Sequence, residues 1–391
     1  MDVTARVEVL RRFAEMPDPR GPNTIHKLTD IIVIAILAVI CGADGWVEVE
    51  LFAKSKLALL ADILELPGGI PSHDTFGRVF SLLNPEAFER CFSQWIASLV
   101  GGSCKGKLVA IDGKTVRRSF AHGWKKNGAV HLVSAFVREN QMVFGQIPVV
   151  PARGSNEIDA IPQLLALLDI KGAVVTIDAM GTQKVIAQKI IEGGGDYVLS
   201  LKDNQPTLAA VAEQLMKEAE LDRIKSGQPT SDGADGRVRY GFAETVDGDH
   251  GRIEIRRVLV SDEIKALGKV ANGWVGLASI IRVESVRDVD GVVSTEQRLY
   301  LSSLKGTDAV RLGDLVRGHW SVENQLHWQL DVSFNEDQRR IRKGHGAENF
   351  SRLCRMALNL LKQDKTTKAG IHAKRLKAAL DGDYLLKIIG G

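Results

Sequence analysis

The order of short apolar strands and helical segments between residues 103 and 202 constrains the fold of this chain more than any other feature. Some of these segments have the length and β-branched content of buried strands, and others have the apolar spacing of helices. The predicted strands are Lys107–Ile111, Val130–Val137, Met142–Val150, Ala173–Ile177 and Tyr197–Leu201, with helices at Asn156–Leu168 and Lys184–Ile191. This β-β-β-α-β-α-β series predicts an α/β fold, with one mixed sheet and helices on its faces.

The regions on either side of this series have different patterns. Thr29–Val39 is strongly apolar, and Ser72 is a predicted N-cap for an amphipathic helix at His73–Leu83. A mainly β region follows residue 202, and helical spacing returns at Ala309–Leu330 and at Ala347–Lys362. We therefore predict a helical domain at 1–98, a core at 103–202 and 306–362, a mainly β insertion at 203–305, and a basic tail at 363–391.

Composition excludes several classes of protein. The longest apolar run, Ile31–Cys41, has 11 residues and is too short to span a bilayer. The four cysteines are widely spaced and form no C-x-x-C pair, which argues against a disulfide framework or a cysteine zinc site. The sequence also shows no basic-then-apolar leader, so we expect a cytoplasmic protein with no membrane partner.

Positive charge is concentrated near the end of the sequence, although the net charge is only +3. From Arg339 to Lys377 there are twelve Lys or Arg residues against two acidic ones, a local charge of +10. Blocks of like charge at this density often contact nucleic acid, but they also occur as solvated helix ends. Charge alone leaves both interpretations open.

Two aspartates occupy equivalent places in the predicted sheet. Asp112 follows the strand that ends at Ile111, and Asp178 follows the strand that ends at Ile177. Ligands of α/β sheets bind at the carboxyl ends of the strands, so two carboxylates there could share a hard cation such as Mg²⁺ or Mn²⁺. The alternative is a pair of ordinary turn aspartates, because Asp-Gly is a common turn sequence.

A third carboxylate is predicted in the segment His319–Trp328. His319, Glu323 and His327 are spaced to share one face of a helix. The H-E-x-x-H spacing of zinc enzymes is absent, which disfavours a zinc site. Rival carboxylates follow at Asp331, Glu336 and Asp337, and we interpret them as a solvated acidic turn opposite the basic run Arg339–Lys343.

Four motifs occur together and in a fixed order. They are Ala110–Thr115, Thr176–Gly181, Leu201–Gln205 and the His319–Trp328 segment. With them, nearly the whole chain resembles the DDE transposases of bacterial insertion sequences, in particular the H-repeat-associated group with its helical N-terminal domain. The resemblance implies a ribonuclease-H-like core interrupted by a β insertion. It also implies that Asp112, Asp178 and Glu323 are the catalytic triad and hold two Mg²⁺ or Mn²⁺ ions.

The sequence departs from related families around the glutamate. Their signature places a Tyr, an Arg and a Lys where this chain has Val316, His319 and Leu330. The DNA contacts of those partners therefore cannot be carried over. His319 either replaces the arginine at a phosphate or only packs.

The resemblance implies double-stranded DNA as the partner, both the terminal repeats of the element and the target. It also implies a homodimer in the synaptic complex, and action at the bacterial nucleoid. The segment Ser72–Leu83 either reads bases, packs against other helices or makes a dimer contact. Predicted DNA contacts are Lys114, Arg117, Arg118, Lys202, Asn204, Gln205, His319, Arg339, Arg340, Arg342 and Lys343.

The predicted reaction has two steps. Water first frees a 3′-hydroxyl at the end of the element, and that hydroxyl then attacks target DNA, with divalent ions activating the nucleophile and stabilising the leaving oxygen. Two alternatives remain: a metal-dependent nuclease on the same fold, which cuts without joining, and a non-catalytic DNA-binding descendant.

Overall fold

The computed structural model describes residues 13–119, 129–149, 156–249 and 252–390. By its contacts the chain divides into two compact units, each assembled from separate segments. Unit 1 contains Met1–Ser103, Gly113–Asn156 and Val322–Gly391, and unit 2 contains Cys104–Asp112 and Glu157–Ser321. The division passes through one strand, between Asp112 and Gly113.

Five helices with described bounds precede the first strand. They are α1 Leu28–Ile40, α2 Trp46–Ser55, α3 Leu57–Ala61, α4 His73–Leu82 and α5 Pro85–Val100. Every residue of α1 except Thr29 is buried, because the sequence is apolar from Ile31 onward and the buried Asp30 carboxylate accepts from the Leu66 amide at 3.0 Å. The Ser72 hydroxyl accepts a hydrogen bond from the Thr75 amide at 3.4 Å, directly before the first residue of α4. This confirms the predicted N-cap.

The strands and the helices among them follow in chain order. They are β1 Leu108–Val116, β2 Val130–Val137, β3 Met142–Val149, α6 Glu157–Leu165, β4 Val174–Ile177, α7 Lys184–Glu192, β5 Asp196–Leu201, α8 Pro206–Ser226, β6 Thr230–Ser231, β7 Tyr240–Asp249, β8 Arg252–Ser261, β9 Ser279–Val289 and β10 Val292–Ser302. The sheet begins in the order β3-β2-β1-β4-β5. Strands β1, β4 and β5 are parallel, and β2 pairs with β3 antiparallel. This is the mixed sheet of a ribonuclease-H-like core and confirms the predicted fold class.

The mainly β insertion extends this sheet. Strand β10 pairs antiparallel with β5, with Leu299 opposite Leu201, and the order continues β10-β9-β8-β7-β6. The pairing covers the edge of β5, which would otherwise present unpaired backbone groups. The insertion therefore shares the sheet of the core.

The chain after the sheet is helical. Its elements are α9 Ala309–His319, a π-helical turn Glu323–His327, α10 Trp328–Val332, α11 Gly346–Gln363, α12 Ile371–Leu380 and α13 Gly382–Gly390. In unit 2, Leu312 and Val316 of α9 are buried in an apolar cluster with residues of the sheet. The helical pattern predicted at Ala309–Leu330 is confirmed, with a turn at Trp320 between α9 and the π-helical turn. No helix in the described ranges is long and apolar enough to cross a membrane.

Helix α11 is the central helix of unit 1. It packs on α1, α4, α5 and β3, and every residue from Gly346 to Lys362 is buried. Burial extends to its arginines: Arg352 contacts Glu89 at 2.7 Å and Glu348 at 2.8 Å, and Arg355 contacts Glu336 at 3.0 Å. The acidic partners offset much of the cost of burying these arginines.

This packing buries many cations of the basic segment Arg339–Lys377. Half of its twelve cationic side chains are buried: Arg339, Arg352, Arg355, Lys362, Lys374 and Arg375. The exposed half comprises Arg340, Arg342, Lys343, Lys365, Lys368 and Lys377. The surface charge available to a polyanion is therefore much smaller than the local charge in the sequence indicates.

Candidate active site

In unit 2, the two predicted aspartates follow directly paired residues on neighbouring parallel strands. Ile111 of β1 lies opposite Ile177 of β4, and the next residues are Asp112 and Asp178. Strand β4 ends there, whereas β1 continues to Val116, so the prediction that Asp112 ends its strand is wrong. Neighbouring strands lie about 4.8 Å apart, so the two aspartates emerge side by side where the pairing of β1 with β4 ends.

A tight turn positions Asp178. The Gly181 amide donates to Asp178 Oδ1 at 3.3 Å, and the Thr182 hydroxyl donates to the Ser200 carbonyl of β5 at 2.6 Å. A Cβ on Gly181 would lie 2.3 Å from the Ile177 side chain, so only glycine fits without displacement. Burial raises the pKa of Asp178, and the Gly181 amide opposes this effect without cancelling it.

The predicted contacts after β5 hold this turn. The side-chain amide of Asn204 donates to the carbonyls of Ala179 and Thr182, and that of Gln205 donates to Thr182 at 3.3 Å. These amides tie the loop after β5 to the loop after β4, so their direct role is positional and phosphate binding by them stays a prediction. Lys202 is exposed.

In unit 1, Glu323 and His327 lie on the π-helical turn and form a pair. His327 Nδ1 lies 3.0 Å from Glu323 Oε2, and the histidine ring is buried while the carboxylate is exposed. The hydrogen bond to His327 lowers the pKa of Glu323 against the opposing effect of burial, and the charge of Lys114 adds to the lowering. Single π-turns within helices often occur at functional sites.

The predicted shared face is confirmed for Glu323 and His327, and it stays a prediction for His319. His319 is the last residue of α9, and its Nδ1 lies 3.0 Å from the Thr176 hydroxyl of β4 in unit 2. This hydrogen bond commits that ring nitrogen to a strand side chain. A phosphate contact by His319 stays a prediction.

Lys114 is the centre of an ion-pair cluster in unit 1 that the sequence did not indicate. Its ammonium lies 2.7 Å from Asp331 and 3.8 Å from Asp337, and Arg117 lies 3.1 Å from Asp337. The Lys114 side chain is only 9% exposed, so these carboxylates compete with any phosphate for it. Because Lys114 follows Asp112 by two residues on β1, both side chains leave the same face of that strand.

The rival carboxylates have structural partners. Asp331 and Asp337 pair with Lys114, and Glu336 is fully buried against Arg355 and accepts from the Ser351 hydroxyl at 2.6 Å. The prediction of a solvated acidic turn opposite Arg339–Lys343 is wrong. Tertiary packing brings these acids to cations that are distant in sequence.

The predicted basic contacts separate into two groups. Arg339 faces the interior, where it donates to the Phe334 carbonyl and lies over the Phe350 ring at 4.4 Å, so its predicted DNA contact is wrong. Five more of the predicted contacts are exposed: Arg117, Arg118, Arg340, Arg342 and Lys343. Arg342 Nε donates to the Arg118 carbonyl at 3.2 Å, which links the loop after β1 to the loop before α11.

Each unit has side chains that suit a hard divalent cation. Asp112, Asp178 and Glu323 offer carboxylate oxygens, and His327 offers a ring nitrogen beside Glu323. Carboxylate-rich sites favour Mg²⁺ or Mn²⁺ over zinc. All four cysteines are unpaired by disulfides, and two of them are buried.

Comparison with known proteins identifies two matching family models. Residues 10–96 match "DDE_Tnp_1-associated", and residues 103–360 match "Transposase DDE domain". The chain is 39% identical over 389 residues to the H repeat-associated putative transposase YhhI of Escherichia coli K12, covering 98% of each chain. It is 39% identical over 385 residues to the putative transposase YncI of Escherichia coli O157:H7, covering 97% of this chain and 94% of the relative. A piggyBac transposase synaptic complex with hairpin DNA has a TM-score of 0.40 at 12% identity, covering 99% of this chain and 79% of that one.

Proposed function

Because the chain belongs to the DDE transposase family, we propose that it cleaves DNA at the ends of a mobile element and joins the freed ends to target DNA. The observation that carries the proposal is the placement of Asp112 and Asp178 after paired residues of neighbouring parallel strands. In α/β sheets a ligand site is expected at that end of the strands, where these carboxylates lie.

We assign Glu323 as the third catalytic carboxylate. The ammonium of Lys114 acts on the Glu323 charge, and Lys114 shares a face of β1 with Asp112. The rival Glu336 is fully buried in an ion pair and cannot serve. His327 orients Glu323 through the 3.0 Å contact, as the outer partner of a metal-binding group does.

The reaction follows from the charge of the substrate. Divalent ions, when bound, would supply positive charge to the nucleophile and to the leaving oxygen. Asp112, Asp178 and Glu323 would hold them. Water attacks the phosphorus at the element's end, the bond to the 3′-oxygen breaks, and that oxygen leaves as a 3′-hydroxyl after gaining a proton. The hydroxyl then attacks a phosphodiester of target DNA, releasing a target 3′-hydroxyl.

Two ends must be held together before joining, so we propose two copies of the chain in the complex with double-stranded DNA. The His327 ring keeps one oxygen of Glu323 fixed during both steps. No covalent bond between protein and DNA forms in either step, so no Ser or Tyr nucleophile is required.

Strand cleavage and strand transfer with the element's own end sequences test the proposal, in Mg²⁺ and in Mn²⁺. Wild type is compared with Asp112→Asn, Asp178→Asn and Glu323→Gln, and Asp62→Asn serves as the control because Asp62 is an exposed carboxylate elsewhere on unit 1. We expect both activities in wild type and the control and neither in the three variants. Cleavage without joining would favour a nuclease, and binding without cleavage in either metal would favour a non-catalytic descendant.

A further inference from the structure

A cleft of about 720 Å³ lies on unit 1, outside the candidate active site. One wall is the first half of α4, with Thr75 and Arg78, and the other is the loop 340–343 before α11. Trp46 and Val47 of α2 line it as well. Residues far apart in sequence therefore form one concave surface within a single compact unit.

The two walls are fastened to each other. Asn349 of α11 donates from its side-chain amide to the carbonyls of Phe80 and Leu83, each at 2.9 Å, and the His345 amide donates to the Ser81 carbonyl at 3.0 Å. Gly344 passes the end of α4 with φ of +50°, and a Cβ there would lie 2.3 Å from the Ser81 carbonyl oxygen. The basic loop is thus fixed against α4.

The aromatic side of the cleft is equally well supported. The Trp46 ring stacks on Phe80 at 4.8 Å with an interplanar angle of 21°, and it meets Phe350 edge-on at 4.9 Å. Gly77 allows the close approach of α4 to Trp46, because a Cβ there would lie 3.3 Å from the indole. These contacts make the cleft a formed feature of the fold.

The charge of the cleft favours an anion. Its lining includes Arg78, Arg340, Arg342 and Lys343 against one carboxylate, Asp74. The start of α4 is already occupied: the Glu50 carboxylate accepts from the His73 amide at 2.7 Å and lies 2.6 Å from its ring, and Ser72 caps the Thr75 amide. An anion would therefore meet the cationic side chains and not the helix terminus.

The cationic surface also continues towards β1. Arg342 Nε donates to the Arg118 carbonyl, and both Arg117 and Arg118 are exposed directly after β1. Cations that follow a line across a surface match the repeating phosphates of a nucleic acid strand better than a single phosphate ion. The line begins directly after the strand that carries Asp112.

We propose that this cleft binds the sugar–phosphate backbone of double-stranded DNA flanking the position of cleavage. The inference rests on the proposed function and extends it from the reacting phosphate to the duplex beside it. The contact is to phosphates, so it strengthens the binding of any sequence about equally and sets the register of the duplex.

Binding of the full-length chain to labelled duplexes at several salt concentrations tests the cleft. One duplex carries the element's end and another of equal length has an unrelated sequence. The variant Arg78→Ala/Arg340→Ala/Lys343→Ala is compared with Lys189→Ala/Lys217→Ala/Lys225→Ala, which removes three exposed charges of α7 and α8 and so loses the same net charge. Each lost phosphate contact reduces the magnitude of the slope of log K against log salt by roughly 0.9. The slope of the cleft variant should therefore be smaller in magnitude by about 3 for both duplexes.

The outcomes separate the cleft from the proposed function. If wild type cleaves the end duplex and the cleft variant keeps the wild-type slope, the cleft proposal is overturned while the transposase proposal stands. If wild type binds neither duplex, the proposed function itself fails.

A second measurement leaves all four cations in place and remains valid if the triple variant unfolds. A photoreactive amino acid replaces Val47, which is 63% exposed in the cleft. Crosslinking to the DNA strand is expected, whereas crosslinking to a second copy of the chain in the presence of DNA would overturn the proposal.

Discussion

Replacing Glu336 by Gln tests the view that this acid is structural and that Glu323 is catalytic. Glu336 and Arg355 are both fully buried, with 3.0 Å between Oε1 and Nη1, and the Ser351 hydroxyl donates to the same carboxylate at 2.6 Å. Gln preserves the shape and can still accept from Ser351. It removes the negative charge and leaves the Arg355 guanidinium buried without its counterion.

The expected cost follows from burial. Removing one partner of a buried ion pair typically destabilises a protein by about 3–5 kcal/mol, and we expect about 3 kcal/mol because the Ser351 hydrogen bond survives. Total stabilities are only about 5–15 kcal/mol, so the change should be large in a denaturation experiment. The matched variant Glu323→Gln should change the free energy of unfolding by no more than about 0.5 kcal/mol, because that carboxylate is exposed.

The pH dependence supplies an independent signature. Burial alone would raise the pKa of Glu336, but Arg355 and Ser351 outweigh it and hold the pKa below its ordinary value. A lowered folded-state pKa stabilises the fold above the unfolded value of about 4.3, and that stabilisation is lost as the pH falls through the folded pKa. Glu336→Gln should lack this part of the acid sensitivity.

Urea unfolding followed by tryptophan fluorescence, from pH 3 to pH 7, measures both effects. The reasoning is refuted if Glu336→Gln unfolds at the wild-type urea concentration at pH 7. It is also refuted if Glu323→Gln is the variant that loses stability. A third variant, Glu336→Leu/Arg355→Met, removes both charges and should recover much of the loss, because buried pairs are often replaceable by apolar residues.

Three further predictions concern the site, the cleft and pH. His327→Ala should lower Mn²⁺ affinity and cleavage by about 10–100-fold, because Glu323 loses its orienting contact; calorimetric Mn²⁺ titration equal to wild type would contradict this. Gly344→Ala should destabilise the chain by about 1–3 kcal/mol in thermal unfolding, because φ is +50° and its Cβ would meet the Ser81 carbonyl, and an unchanged melting temperature would refute the close approach. Burial lowers the pKa of Lys362 to about 8, so the unfolded chain holds that proton to a higher pH and stability should rise between pH 8 and 10; Lys362→Met should flatten the rise, and a persisting rise would exclude Lys362 as its source.

The order of the core strands could be predicted from the sequence because strand periodicity and the turns between strands are local properties. The placement of Asp112 and Asp178 followed from the same pattern, since parallel neighbours align their carboxyl ends. The extent of β1 beyond Asp112 was missed, because an Asp-Gly pair is typical of a turn and here continues as strand.

The helix that carries Glu323 shows the limit of periodic patterns. Spacing of four residues correctly paired Glu323 with His327. The turn at Trp320 and the π-helical turn after it were missed, because a spacing of four residues does not distinguish them from a continuous α-helix. The ion pair of Lys114 with Asp331 could not be predicted from sequence patterns, because the two residues are distant in sequence.

By itself the sequence determined the strand series, the pair of aspartates at equivalent strand positions and the family, because these depend on residue type and order. Only the tertiary structure decided which cations face solvent. Arg355 and Arg340 look alike in the sequence, yet one is fully buried in the core around α11 and the other lines a cleft with α4. The reason is physical: burying a charge is costly unless a partner offsets it, and the partner Glu336 is identified by packing and not by sequence spacing.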